Sequence, residues 1–168
     1  ASPDGWRVHK FGVTSLADSE RIRHVTSLVA GQSSPTAVVV SAMSGVTDRL
    51  LDLADAGPAH DDALHEDLQA LCDEQRAVVT ELLSGDDAAP LLRALDDDVA
   101  DVSDVLRATQ LMRAAPDTAR DLVAGYGELW AARLLTGVLQ AQGVNAATCN
   151  AREVLVVTPD KLGPVVDW

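Results

Sequence analysis

Residues 36–43, TAVVVSAM, constrain the fold more than any other stretch: three consecutive valines, no charge, and small residues at the end. A β-branched run without polar alternation suits a strand buried on both faces, at the centre of a sheet. Such a strand needs neighbours, and the flanking sequence supplies candidates. WRVHKFG at 6–12 alternates apolar and polar residues and reads as a first strand. Between the two lies TSLADSERIRHVTSLVAG, which reads as a helix. Ser15 and Asp18 stand three apart like a capping pair, and Leu16, Ile22, Val25 and Val29 share one inner face. SGVTDRLLDLADAG begins a second helix after the valines, and AGP ends it. Strand, helix, strand, helix implies parallel pairing through helical crossovers.

Residues 61–84 and 90–108 carry helical patterns and no strand candidate, so a helical excursion is expected over about 61–115. Residues 116–143 hold another long helix, interrupted by Gly125 and Gly127 and ended at Gly143. VNAATCN is a third strand candidate and EVLVVT a fourth. The expected architecture is a layered α/β/α domain with a mainly parallel sheet plus the helical excursion. At 168 residues the chain is long enough for one core and marginal for two, so a single domain over 1–168 is expected.

Charge narrows the choice of partners. With 26 acidic against 13 basic residues and a net charge of -13, the surface repels phosphate backbones, which argues against nucleic-acid binding. Many acids fall in HDDALHEDLQALCDEQ and ALDDDVADVSDVL, interleaved with Leu, Val and Ala, the pattern of solvated helix faces. No apolar run is long enough to span a membrane. ASPDGWRV at the start has neither a basic region nor an apolar core, and so does not read as a leader. Cys72 and Cys149 are far apart without a metal-ligand spacing, which suits free thiols in a reducing, cytoplasmic setting.

In open parallel sheets, ligands bind beyond the carboxyl ends of the strands. Three polar clusters fall there or at the helix starts that follow: KFGVTS, SAMSGVT and GYGEL. Their small residues let backbone approach a ligand, and helix N-termini offer free N–H groups to an anion. Lys10, at a strand end directly before a glycine, is either an ordinary solvated lysine or a cation pointing into a site that holds something negative.

In this order and spacing the three clusters resemble the aspartokinase family of the amino-acid kinase superfamily, whose strands end in K-F-G-G-T-S and V-S-A-x-x-G-V-T-N and whose later helix opens with G-E. The tail AREVLVVTPDKLGPVVDW is also similar to that family, particularly to bifunctional aspartokinase–homoserine dehydrogenases. The resemblance implies transfer of the γ-phosphoryl group of ATP, with Mg²⁺ entering through ATP, to the β-carboxylate of L-aspartate. It puts Lys10 against the phosphates as the catalytic cation. Gly12 would admit the backbone there, and Thr14 and Ser15 would present hydroxyls and N–H groups. Ser41 and Thr47 match positions that hold aspartate, Ser44 and Gly45 complete that turn, and Glu128 matches the glutamate directed at the substrate amino group. The family is commonly dimeric or larger.

The departures from the pattern carry expectations too. Val13 replaces the second glycine of K-F-G-G-T-S and should clash or strain the turn if that glycine gives close approach to phosphate or a positive φ. Asp48 stands where Asn is usual, and Asn150 where Asp is common. The family's G-R-G-G-S-D segment and most of the nucleotide pocket have no counterpart here. The chain alone is therefore expected to lack productive ATP binding and to need the C-terminal half of the kinase domain, or further domains, as its partner. The alternative is a degenerate, stand-alone kinase half acting as a non-catalytic binding or assembly module.

Overall fold

The computed structural model describes residues 5–56, 61–158 and 165–167. Gly57 and Pro58, expected to end the second helix, and the terminal Trp168 lie outside the described residues.

Strands β1 (Arg7–Phe11) and β2 (Thr36–Val40) pair in parallel, with Lys10 opposite Val39 and Phe11 opposite Val40. The crossover between them is α1 (Ser19–Ala30), which buries Ile22, Val25, Thr26 and Val29. Its cap is Asp18, extended at φ -153, whose carboxylate accepts from the Arg21 N–H at 2.9 Å. Ser15 belongs instead to a separate 3-10 turn, Val13–Leu16, in which its own N–H donates to the Gly12 carbonyl at 2.9 Å. The expected capping pair therefore reduces to Asp18 alone.

The valine run forms a strand, but not one buried on both faces. Val38 and Val40 pack with Phe11 against the core, while Val39 on the opposite face is 50% exposed and Val8 beside it 71%. Among the described residues this sheet has two strands and its helical layer covers one face, so the valines that point the other way meet solvent.

Four long helices and one short one build the rest of the core. After α2 (Val46–Ala56), α3 (Asp61–Leu82) and α4 (Gly85–Met112) pack on each other as the helical excursion. Helix α4 begins at Gly85, ahead of the expected residue 90. Ser84 occupies its cap position, and Asp86 and Asp87 place negative charge at the positive end of the helix dipole. Pro90 is carried inside it, and Arg113 ends it in the left-handed conformation at φ 51. Helices α5 (Asp117–Ala124) and α6 (Tyr126–Ala141) meet at Gly125, and Gly127 lies within α6 without breaking it. Trp130, Ala131, Leu134, Leu135, Val138 and Leu139 bury most of α6, which touches α1, α4 and β2 and so serves as the central post.

The third strand candidate, residues 144–150, takes no ladder bonds in the structure. EVLVVT divides. A single turn, α7 (Ala151–Val154), starts from Asn150, whose side chain accepts from the Arg152 N–H at 3.1 Å, and β3 (Val156–Thr158) then pairs antiparallel with β4 (Val165–Asp167). Asn and Asp cap helices about equally well, so Asn150 is a tolerated departure. None of the described helices is long and apolar enough to cross a membrane.

Candidate active site

The parallel register of β1 and β2 decides what their carboxyl ends bring together. In a strand, alternate residues share a face, so Lys10, its partner Val39 and the following Ser41 project to the same side. The Ser41 N–H extends the pairing by donating to the Phe11 carbonyl at 3.1 Å. The Lys10 ammonium donates to the Ser41 hydroxyl oxygen at 2.9 Å. A strand-end lysine has thus met the hydroxyl that the resemblance assigns to substrate.

The next residue ties in the third cluster. The Ala42 N–H donates to Glu128 Oε1 at 3.4 Å. Ala42, fully buried, and Val46, at the start of α2, rest against α6 where Gly127 leaves room. A Cβ at Gly127 would lie 2.8 Å from Ala42 Cβ, 3.2 Å from Val46 Cγ1 and 3.6 Å from Thr47 Oγ1. Thr47 therefore adjoins the same turn. Gly45, at φ +77, holds the left-handed conformation that lets the chain turn from Ser44 into α2, a role that suits glycine. Lys10, Ser44 and Gly45 are exposed, and Ser41, Thr47 and Glu128 half-buried, so the cluster opens to solvent.

Lys10, Ser41, Thr47 and Glu128 converge, although KFGVTS, SAMSGVT and GYGEL are far apart in sequence. Thr14 and Ser15 face elsewhere. They line a groove of about 290 Å³ with Phe11, Arg21, His24, Val25 and Leu28. The Ser15 N–H is already donated within its turn and is not free for a ligand. Gly12 is extended at φ -85, ψ 177, and an added Cβ would meet only Lys10 Nζ, at 3.5 Å. Val13 does not strain the turn as expected: its φ is not positive and its side chain is 43% exposed.

Three groups went unnoticed in the sequence. Ala42 acts through its backbone N–H, which no side-chain pattern reveals. Asp98 on α4 is a buried carboxylate that accepts from Trp130 Nε1 at 3.0 Å and pairs with Arg133, tying the helical excursion to α6. Burial pushes its pKa up, against the pull of Arg133 and of the Trp130 N–H. Arg152 lies over the Tyr126 ring, 4.9 Å from its centroid, and Tyr126 donates through its hydroxyl to Asp101 at 3.3 Å. Burial, with the negative charge of Asp101, raises the Tyr126 pKa. Among the described residues, no three His, Cys, Asp or Glu side chains gather as a metal site.

The role of Gly127 is directly testable. Ala is ordinarily better than Gly inside a helix by up to about 1 kcal/mol. Gly127→Ala should nonetheless destabilise, by about 1–3 kcal/mol, because the methyl group forces α6 away from the Ala42 turn. Urea unfolding measures this, and an unchanged or raised midpoint contradicts the contact.

A parallel β-α-β unit thus brings a strand-end lysine beside the serine–glycine turn after its second strand, an arrangement suited to an anionic ligand. Residues 5–167 match the model of the amino acid kinase family, and the chain belongs to that family. Within it, the chain is 40% identical over 93% of its length to bifunctional aspartokinase/homoserine dehydrogenase 1, chloroplastic, of Arabidopsis thaliana. It is 34% identical over 92% of its length to bifunctional aspartokinase/homoserine dehydrogenase 2 of Escherichia coli. It spans 17% and 19% of those two proteins. The fold is similar to part of E. coli aspartokinase III in complex with lysine and aspartate, with a TM-score of 0.71 at 25% identity over 82% of this chain and 29% of that one. For the same enzyme in complex with aspartate and ADP the TM-score is 0.78 at 24% identity, covering 90% and 32%. The α/β fold class and the aspartokinase resemblance read from the sequence both stand.

Proposed function

We propose that the chain is the aspartate-side, N-terminal part of the kinase domain of an aspartate kinase, a single unit over 1–168 completed by the rest of that domain. The complete protein transfers the γ-phosphoryl group of ATP, bound with Mg²⁺, to the β-carboxylate of L-aspartate and works as a homo-oligomer. The observation that carries this reading is the convergence of Lys10, Ser41, Thr47 and Glu128 on the turn that follows β2. The aspartate and ADP in the complex of E. coli aspartokinase III support the choice of substrates.

The reaction brings two anions together, a carboxylate and a phosphoryl group, so catalysis depends on position and on cations that offset the charge. Lys10 is that cation, held at the strand end by Ser41. Ser41 and Thr47 offer hydroxyls to the substrate carboxylates. Glu128 accepts a long bond from Ala42 through one oxygen and keeps acceptor capacity for an ammonium group. Opposite charges on Lys10 and Glu128 give the turn a polarity that matches a zwitterionic amino acid. Ser44 and Gly45 complete the reading as turn residues, and Thr14 and Ser15, which line the neighbouring groove, take no part in it. The test is a hydroxylamine trap on the complete gene product. Aspartyl hydroxamate that needs both ATP and aspartate is expected, and its absence from a folded, nucleotide-binding protein sinks the proposal.

A further inference from the structure

We infer that Arg152 is a positioning residue for Glu128: its guanidinium locks the α5–α6 junction whose first helical turn carries the glutamate. This deepens the aspartate-site reading and rests on it.

Gly125 supplies the first observation. Its backbone, at φ -68 and ψ -7, is ordinary right-handed helix that any residue adopts, so the glycine is not there for its conformational freedom. An added Cβ would overlap Arg152 Nη2 and lie 3.3 Å from its Cζ. The missing side chain is a seat for the guanidinium. The same group donates to the Leu122 carbonyl near the end of α5 at 2.8 Å and stacks on Tyr126, the first residue of α6. One planar cation thus bridges the last turn of one helix and the first turn of the next. Tyr126 is held from its other end by Asp101 of α4, and Glu128 follows two residues later. Arg152 reaches the junction from α7, itself fixed by the Asn150 cap. Both glycines of GYGEL then have a steric purpose. Gly127 admits the Ala42 turn, and Gly125 admits the arginine that holds Glu128 facing it. Lysine has no flat fork with which to stack and bridge.

The test uses the complete gene product. Arg152→Ala is expected to raise KM for aspartate about tenfold or more while KM for ATP stays within about twofold. Gly125→Ala, which displaces the guanidinium without removing its charge, should do the same. In the Arg152→Ala background, Gly125→Ala should add nothing, because the methyl group then enters space the guanidinium has left. Arg152→Lys should fail to restore the wild-type KM. Independently of activity, hydrogen exchange at Leu129, whose N–H closes the first turn of α6 on the Gly125 carbonyl, should quicken about tenfold in both single variants. If Arg152→Ala does not fold, Gly125→Ala gives the same readouts. Unchanged KM for aspartate together with unchanged exchange, equal shifts in both KM values, or multiplying effects in the double variant would overturn the inference. A wild-type protein without aspartate kinase activity defeats the functional reading instead, and exchange at Leu129 still decides whether Arg152 is the lock.

Discussion

Lys10→Met in the complete protein should cut kcat for aspartyl phosphate formation by roughly 10²- to 10³-fold, the usual loss when one preorganised electrostatic group is removed from a transition state. Methionine keeps most of the aliphatic stem and deletes the ammonium group. The side chain is exposed and its partner, Ser41, is open to water, so folding should be little affected. A melting temperature near that of the wild type, with hydroxamate formation nearly abolished, is the expected pair of results. Lys10→Arg should recover part of the rate by returning charge without the compact shape. A Lys10→Met protein within about threefold of wild-type kcat would mean that the lysine only decorates a strand end.

The largest stability effect should come from Asp98→Ala, which is expected to destabilise the domain by about 3 kcal/mol in urea unfolding. Asp98 is 6% exposed and joins Trp130 and Arg133 of α6 to α4. Removing it leaves an indole N–H without a partner and an arginine, one-third exposed, without its counter-charge. Partial exposure of Arg133 keeps the cost below that of a fully enclosed pair. The pH dependence has a definite sign. A carboxyl whose pKa is raised on folding binds its proton more tightly in the native state. Its favourable contribution is complete below the unfolded pKa and is lost as pH rises through the folded one. Asp98→Asn cannot ionise, so its stability relative to wild type should improve as pH rises across that window. A relative stability that falls instead would show that Arg133 and Trp130 outweigh burial.

Both predictions mark where sequence reading reaches and where it stops. Lys10, Ser41, Thr47 and Glu128 were legible because their clusters, at strand ends and helix starts, resemble aspartokinase motifs, and the parity of parallel strands puts Lys10 and Ser41 on one side. Asp98 and Arg152 were not. Asp98 lies in ALDDDVADVSDVL among acids that are mostly exposed, and nothing in the string marks it as the buried one. Arg152 acts through a gap at Gly125 that exists only after α5, α6 and α7 have packed. The valines of β2 misled in another way. Their composition states how well a strand packs but not how many layers cover it, and Val39 remained half exposed. Val13 looked strained by comparison with a glycine pattern, yet its φ is ordinary, because the 3-10 turn after Gly12 needs no left-handed residue.

The account turns on Glu128 and the Ala42 turn facing aspartate and not the nucleotide. Steady-state kinetics of Glu128→Gln in the complete protein test this most directly, since the change removes one charge with almost no change of shape. KM for aspartate should rise by tenfold or more, the scale of a lost charge-assisted hydrogen bond, with KM for ATP unchanged. A variant that binds aspartate as well as the wild type, or that loses ATP affinity to the same degree, would contradict the assignment.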